Sequence, residues 1–222
     1  MYIKRMYRYI AVFFIIIFIN TGHLYADNKV VFKFTKEEFK TLKVRKIRGA
    51  KSETDYTLDA NKNGPYLRAL ASGGASGLGK EIEIDLNKTP YLNITWRVEK
   101  DLSGIDEQSK KGHDFAARVF VVKKTGLTPL SNKAINYVFS SNFNIDDYWR
   151  SPYTKSSIDY VLSTTKKNLN EWVTVKANVK DHFKLLHNIE VDKITGIALM
   201  TDTDQTNISA IANYQNIFFS AN

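Results

Sequence analysis

The chain has 222 residues, with 32 Lys and Arg against 23 Asp and Glu, a formal charge of +9, and no cysteine. The absence of cysteine excludes disulfide staples, a thiolate zinc site, a thiol nucleophile and a lipidated cysteine anchor. Stability must therefore come from a conventional apolar core, and the length is ample for one.

The chain opens Met1-Tyr-Ile-Lys-Arg-Met-Tyr-Arg8, runs apolar from Tyr9 to Ile19, and reaches Ala26 through a short polar stretch. This is the charged, apolar and small-residue order of a signal peptide over residues 1–26. The apolar run is shorter than the roughly 20 residues of a membrane span; an uncleaved signal anchor is the alternative reading. Residues 27–222 are then expected as one domain, exported to the periplasm or the medium, with no stable membrane anchor. Lys4, Arg5 and Arg8 leave with the signal and no acid does, so the remainder carries +6. Export argues against a nucleic-acid partner; the charge suits acidic glycans or anionic lipid surfaces. Oligomeric state is not legible.

Past the signal, Val30-Val-Phe-Lys-Phe34 predicts an opening strand and Lys36-Glu-Glu-Phe-Lys40 one helical turn. Lys43-Val-Arg-Lys-Ile-Arg48 predicts a strand showing a basic side to water. Thr54–Leu58 alternates, Asn61-Lys-Asn-Gly-Pro65 signals a turn, and Tyr66–Ala71 follows as a strand. Ser72-Gly-Gly-Ala-Ser-Gly-Leu-Gly79 reads as a flexible turn before the alternating Glu81–Leu86. In Tyr91-Leu-Asn-Ile-Thr-Trp-Arg-Val98, Leu92, Ile94, Trp96 and Val98 share one face, the period-2 mark of a half-buried strand. Phe115–Val122, Ala134–Phe139, Ile158–Leu162, Trp172–Val179, Ile194–Thr203 and Ala210–Phe219 are further strands. Ser140–Ser157 is a long loop, and Lys180–His187 is the one convincing helix, with Phe183, Leu186 and Leu185 inward. About ten strands at this spacing, with almost no helix, predict an all-β fold: an antiparallel β-sandwich of jelly-roll, galactose-binding-like type with one short helix.

Two motif look-alikes fail on context. Gly74-Ala-Ser-Gly-Leu-Gly-Lys80 imitates a P-loop, but Glu81 replaces the magnesium-binding Ser or Thr, and a strand rather than a helix follows. Asp202-Thr-Asp-Gln-Thr206 after an apolar strand imitates a phosphatase nucleophile, yet only sixteen residues follow it and the further fold elements such a site needs have no room. A calcium loop using Asp202, Asp204 and Thr206 is the better rival, though Asn207 and Asn213 stand where an EF-hand places Gly and Glu. The simpler reading has Asp202 and Asp204 accepting hydrogen bonds from backbone and arginine, with no cofactor.

Thr89-Pro-Tyr-Leu-Asn-Ile-Thr-Trp-Arg-Val98, Gly112-His-Asp-Phe-Ala-Ala-Arg-Val-Phe-Val-Val122, Ala134-Ile-Asn-Tyr-Val-Phe-Ser-Ser141, Thr195-Gly-Ile-Ala-Leu-Met-Thr-Asp-Thr-Asp-Gln-Thr206 and Ala212-Asn-Tyr-Gln-Asn-Ile217 together resemble the bacterial family catalogued as domain of unknown function 3047. The resemblance runs from about Phe34 to Phe219. It implies an exported sandwich-like domain and no established activity. The chain departs from the family pattern at His113, where an acid is common, at Phe139, where Trp is common, and at Gln215-Asn216, where Gly-Asp is common.

Arg97 and Arg118 fall on the polar sides of two strands, and Asp114, Asp202 and Asp204 are the acids available to them. One reading is an internal Arg–Asp network; the other is a glycan site. Sugars are recognised by planar hydrogen-bonding groups and aromatic faces. The ligand-binding candidates are Arg97, Arg118, Asn136, Tyr137, Trp149, Asp202 and Asp204, with Tyr148 and Tyr153 as further aromatics on the long loop. Trp96 and Trp172 are assigned to the core. The expected function is non-catalytic carbohydrate binding. A jelly-roll polysaccharide lyase, with Tyr137 as acid/base and Arg118 and Asn136 neutralising a uronate, is the enzymatic alternative; an envelope interaction or assembly protein is a third. His182 and His187 do not share a helix face, and His113 reads as a loop residue.

Overall fold

The structure is a computed structural model and describes residues 28–126, 128 and 131–222. The expected signal peptide lies outside the described residues. Thirteen strands and three short helices follow in chain order: β1 (Lys29–Phe32), α1 (Lys36–Phe39), β2 (Val44–Lys46), β3 (Asp55–Asn61), β4 (Gly64–Ser72), β5 (Ala75–Asp85), β6 (Tyr91–Lys100), β7 (Ala117–Lys123), β8 (Lys133–Ser140), β9 (Tyr148–Arg150), β10 (Ser157–Thr164), α2 (Thr165–Asn168), β11 (Val173–Asn178), α3 (Val179–His187), β12 (Lys193–Asp202) and β13 (Ser209–Ser220). They build two sheets. The first runs β11-β6-β13-β4-β3, with β1 also pairing with β13; the second runs β2-β5-β12-β7-β8-β10-β9. Pairing is antiparallel except between β8 and β10. Among the described residues no helix is long and apolar enough to cross a membrane.

The alternation read in β6 dictates its packing. Leu92, Ile94, Trp96 and Val98 are fully buried. The Trp96 ring lies 5.5 Å from Phe139 of the opposing sheet, and its Nε1–H donates to Ser163 Oγ at 2.9 Å. Satisfying that polar atom lets a large ring contribute its full apolar burial to the sandwich centre. Leu67, Val119, Ile135, Tyr137, Leu199, Tyr214 and Phe219 complete the layer between the sheets. Helix α3 is capped by Asn178, whose side chain accepts from Asp181 N, and ends at Asn188 in the left-handed region. Its inward stripe is Val179, Phe183 and Leu186, whereas Leu185 is 65 % exposed. The expectation for Leu185 is corrected by helical spacing, since i+2 from Phe183 points away from the stripe.

Three other expectations shift. The glycine-rich stretch is not one flexible turn: β5 begins at Ala75 and carries Gly77 and Gly79 inside the ladder, and only Gly73 turns, at φ 61°. Trp172 lies outside the core, half-buried with Arg97 5.2 Å from its ring and Tyr66 edge-on at 5.2 Å. The long 140–157 loop contains β9, which pairs with β10.

Candidate functional site

The inner side of the second sheet faces the core; its outer side forms a groove of about 970 Å³. Strand register sets the floor. One cross-strand row reads Gly79, Ala198, Phe120, Asn136, Asp159, and the next reads Arg45, Gly77, Met200, Arg118, Val138. Period-2 alternation therefore places Arg118, Phe120 and Val122 of β7 on the groove side and Val119 and Val121 in the core. On β5 and β12 the groove-side positions include Gly77, Gly79, Gly196 and Ala198, with Glu81, Met200 and Asp202 also on that side. A Cβ at Gly77 or Gly196 would meet nothing closer than 3.5 Å, and neither has positive φ. Backbone geometry does not require glycine there. Its effect is a trough in the floor beside Phe120.

Arg118 is buried at one end of the floor. Its Nη2 donates to Asp202 Oδ2 at 2.5 Å, and its guanidinium lies 5.2 Å from the Phe115 ring and 5.1 Å from the Phe120 ring. Its Nε–H is buried without a partner, as is Asn136 Oδ1. Asn136 donates Nδ2–H to Ser157 Oγ at 2.9 Å and to Asp159 Oδ1 at 2.7 Å. Asp159 Oδ2 in turn is 2.8 Å from His113 Nε2. His113, 5 % exposed, lies edge-on to Tyr153, whose ring is 5.5 Å away and forms part of the groove wall.

The loop after β12 carries the acids. Asp114 accepts from Gln205 N at 3.2 Å, Thr206 N at 2.7 Å and Thr206 Oγ1 at 2.6 Å. Asp202 Oδ1 accepts from Phe115 N at 3.4 Å, and Asp204 Oδ2 accepts from Gln205 Nε2 at 2.7 Å. Carboxylate oxygens of Asp114, Asp202 and Asp204 lie within 4.8 Å of one another. Burial pushes the Asp202 carboxyl well above the usual range; Arg118 opposes this, and Asp114 and Asp204 add to it. These acids are matched by backbone N–H groups, a threonine hydroxyl and a guanidinium, the donors that stabilise clustered carboxylates without an ion. Thr206, expected as a calcium ligand, spends its hydroxyl on Asp114.

Of the residues singled out from the sequence, the groove brings together Arg118, Asn136, Asp202, Asp204 and Tyr153. It does not include Arg97, which belongs to the other sheet and pairs with Glu99. Nor does it include Trp149, packed against Phe143 and Phe115 in a small satellite cluster, or Tyr148, stacked on Tyr160. Tyr137 faces the core, fully buried, with its hydroxyl 3.1 Å from His182 Nδ1. Burial pushes that hydroxyl's pKa far up. Adjacent strand residues point to opposite faces, so Tyr137 and Asn136 cannot meet one substrate, and the expected lyase trio is not assembled. Sequence reasoning missed Phe120, Asp159, the trough glycines and the burial of His113. Phe120 was within reach, two residues from Arg118 on an alternating strand.

The sequence profile of a family described as "Protein of unknown function (DUF3047)" matches residues 40–218. The chain belongs to the DUF3047 family. No curated protein matches it. Among solved structures this DUF3047 chain is similar to the family 30 carbohydrate-binding module of a cellulosomal cellulase of Clostridium thermocellum, with TM-score 0.51 and 10 % identity over 88 % of this chain and 98 % of that one. Lower-scoring matches are a thermostable cellulase derived from a Rhodothermus marinus enzyme, at TM-score 0.44 and 7 % identity over 80 % of this chain and 94 % of that one, and a module specific for non-crystalline cellulose, at 0.41 and 11 % over 81 % and 88 %. At such identity the first likeness shows a shared β-sandwich fold.

Proposed function

We propose that this DUF3047 protein is an exported, non-catalytic carbohydrate-binding sandwich that holds a glycan chain in the outer groove of the second sheet. One observation carries the reading. A buried donor, Arg118 Nε–H, two residues before Phe120 on β7, and a buried acceptor, Asn136 Oδ1, opposite Phe120 on β8, stand unpartnered beside the ring in the groove floor. Unpaired buried polar atoms are costly; a side-chain adjustment that opened them to the groove would let ligand hydroxyls satisfy both while a sugar's C–H face lies on the ring. The trough beside Phe120 gives the ring room, and Tyr153 supplies a second aromatic face. The Clostridium thermocellum neighbour is a carbohydrate-binding module, which points the same way.

The test is affinity electrophoresis through gels holding single soluble polysaccharides. At least one should retard the protein, and Phe120→Ala and Tyr153→Ala should each abolish most of the retardation while near-UV circular dichroism stays native. Unretarded migration through a broad panel would refute the reading.

A second reading, an eliminating enzyme, has the buried His113–Asp159 pair in its favour, since Asp159 orients an imidazole at the groove wall. It predicts new ultraviolet absorbance from an unsaturated uronate, lost in His113→Ala; silence across acidic polysaccharides disposes of it.

A further inference from the structure

The charges around the groove separate into those already matched and those left open. Lys80 is held by Glu38, Arg118 by Asp202, and Glu83 by Lys193. Arg45 on β2 and Arg48 just after it line the groove rim, exposed, and form no ion pair among the described residues. Glu81 and Lys124 are the open charges at the other end. Glu81 and Val122 both pair with Gly196, beyond the reach of β2, which covers only Ser76 to Leu78. Asp204 is turned to Asp114 and Asp202 and accepts from Gln205. At the arginine end Arg45 and Arg48 are therefore two open cations against one open lining carboxylate, Asp204, whose hydrogen bond comes from a neutral amide.

Arg45 and Arg118 stand in one cross-strand row with only Gly77 and Met200 between them. At one strand spacing per step, their backbones are about 14 Å apart. Gly77 offers no side chain, and Met200, whose Sδ lies 4.0 Å from where a Gly77 Cβ would stand, fills the position beside it, so the two guanidinium groups flank a low apolar floor. The inner one keeps a buried Nε–H that donates to nothing, and the outer one is fully available. Guanidinium is the side chain best suited to paired recognition of carboxylate or sulfate oxygens.

We infer that the ligand is an anionic polysaccharide, bound with its carboxylate or sulfate groups at the Arg45–Arg48 rim and a sugar ring on Phe120. The inference rests on the glycan reading above and narrows it to a substrate class. A chain of formal charge +9, or +6 without residues 1–26, also adsorbs polyanions non-specifically, so the test has to separate the groove from the overall charge.

The dissociation constants of the purified protein are measured for polygalacturonate, its methyl-esterified form, a sulfated galactan and neutral hydroxyethylcellulose. Polygalacturonate or the sulfated galactan should bind at least tenfold more tightly than both uncharged polymers; which of the two does so tells carboxylate from sulfate. Arg45→Ala/Arg48→Ala should remove most of that preference and leave any neutral binding unchanged. Lys62→Ala/Lys176→Ala removes the same charge from the other sheet and should change nothing, whereas Phe120→Ala should weaken acidic and neutral binding alike. Equal losses in the arginine and lysine doubles, or tighter binding to the neutral polymer, overturn the anionic assignment. If neutral binding still depends on Phe120 in that case, the glycan reading stands alone; if no polymer's binding depends on Phe120, both fall.

Discussion

Nη2 of Arg118 on β7 lies 2.5 Å from Oδ2 of Asp202, the last residue of β12. Both side chains are almost wholly buried, and the Phe115 and Phe120 rings flank the guanidinium. The pair is the Arg118 part of the internal Arg–Asp network that was one of the two sequence readings, with Arg97 outside it, and it also paves one end of the groove. Removing either partner leaves an uncompensated buried charge, which costs about 3–5 kcal/mol. Arg118→Ala and Asp202→Ala should each lower unfolding free energy by about that much in urea titrations. Arg118→Met/Asp202→Leu should cost less than either single change, because no charge is left stranded. Strictly additive losses would show that the two do not act as a unit.

Gly196 tests whether the trough exists for binding. A Cβ there meets only ordinary contacts at 3.5 Å from Lys80 O and 3.8 Å from Val122 Cβ. Gly196→Ala should leave stability unchanged or raise it by about 0.4–1 kcal/mol, through lower unfolded-state entropy, while polysaccharide retardation falls. Loss of stability together with binding would assign the glycine to packing instead.

The two α3 histidines give a pH signature. Burial lowers the pKa of His182, and burial likewise lowers that of His187, against the pull of its hydrogen bond to Ala134 O. Neutral His182 Nδ1 accepts from the Tyr137 hydroxyl, and His187 Nε2–H donates to Ala134 O at 2.9 Å. The unfolded chain takes up protons near pH 6.5 while the folded chain still resists them. The stability these two histidines contribute should therefore be fully present above that pH and be lost as pH falls below it. His182→Gln should flatten the decline. A stability that rises on acidification through the same window would contradict the assignment.

Calcium should leave this protein unmoved. The three clustered aspartates already accept from Arg118, Gln205, Thr206 and Phe115 N. A native-state ion at a hundred times its Kd would add about 2.7 kcal/mol. We expect coincident melting curves in millimolar calcium and in chelator. A clear upward shift with calcium, lost in Asp204→Asn, would mean that the loop rearranges to take the ion.

The fold was legible because burial on one face leaves a two-residue period. Leu92, Ile94, Trp96 and Val98 announce their strand, and Val119 and Val121 announce theirs. The groove was less legible because its floor is written in residues with no hydropathic signature. Gly77 and Gly79 read as a turn, though in a strand they are the absence of side chains on one face. Asp159 was hidden for a different reason. Its partners His113 and Asn136 are 46 and 23 residues away, and only strand order brings the three together. Arg97 was misplaced because alternation says which side of a strand a residue takes, and never which sheet the strand joins.

The parallel pairing of β8 with β10 has a consequence for how such proteins can diverge. The chain leaving β8 bypasses one strand position to lay down β9 and then doubles back through residues 151–156 to insert β10 between them. That return segment carries Ser151, Tyr153 and Thr154 to the groove wall while the ladder beneath it stays fixed. Insertions or exchanges there can reshape the mouth without disturbing Phe120 or the Arg118–Asp202 pair. Part of the groove wall is thus carried on a stretch of chain separate from the ladder that holds the sheet together.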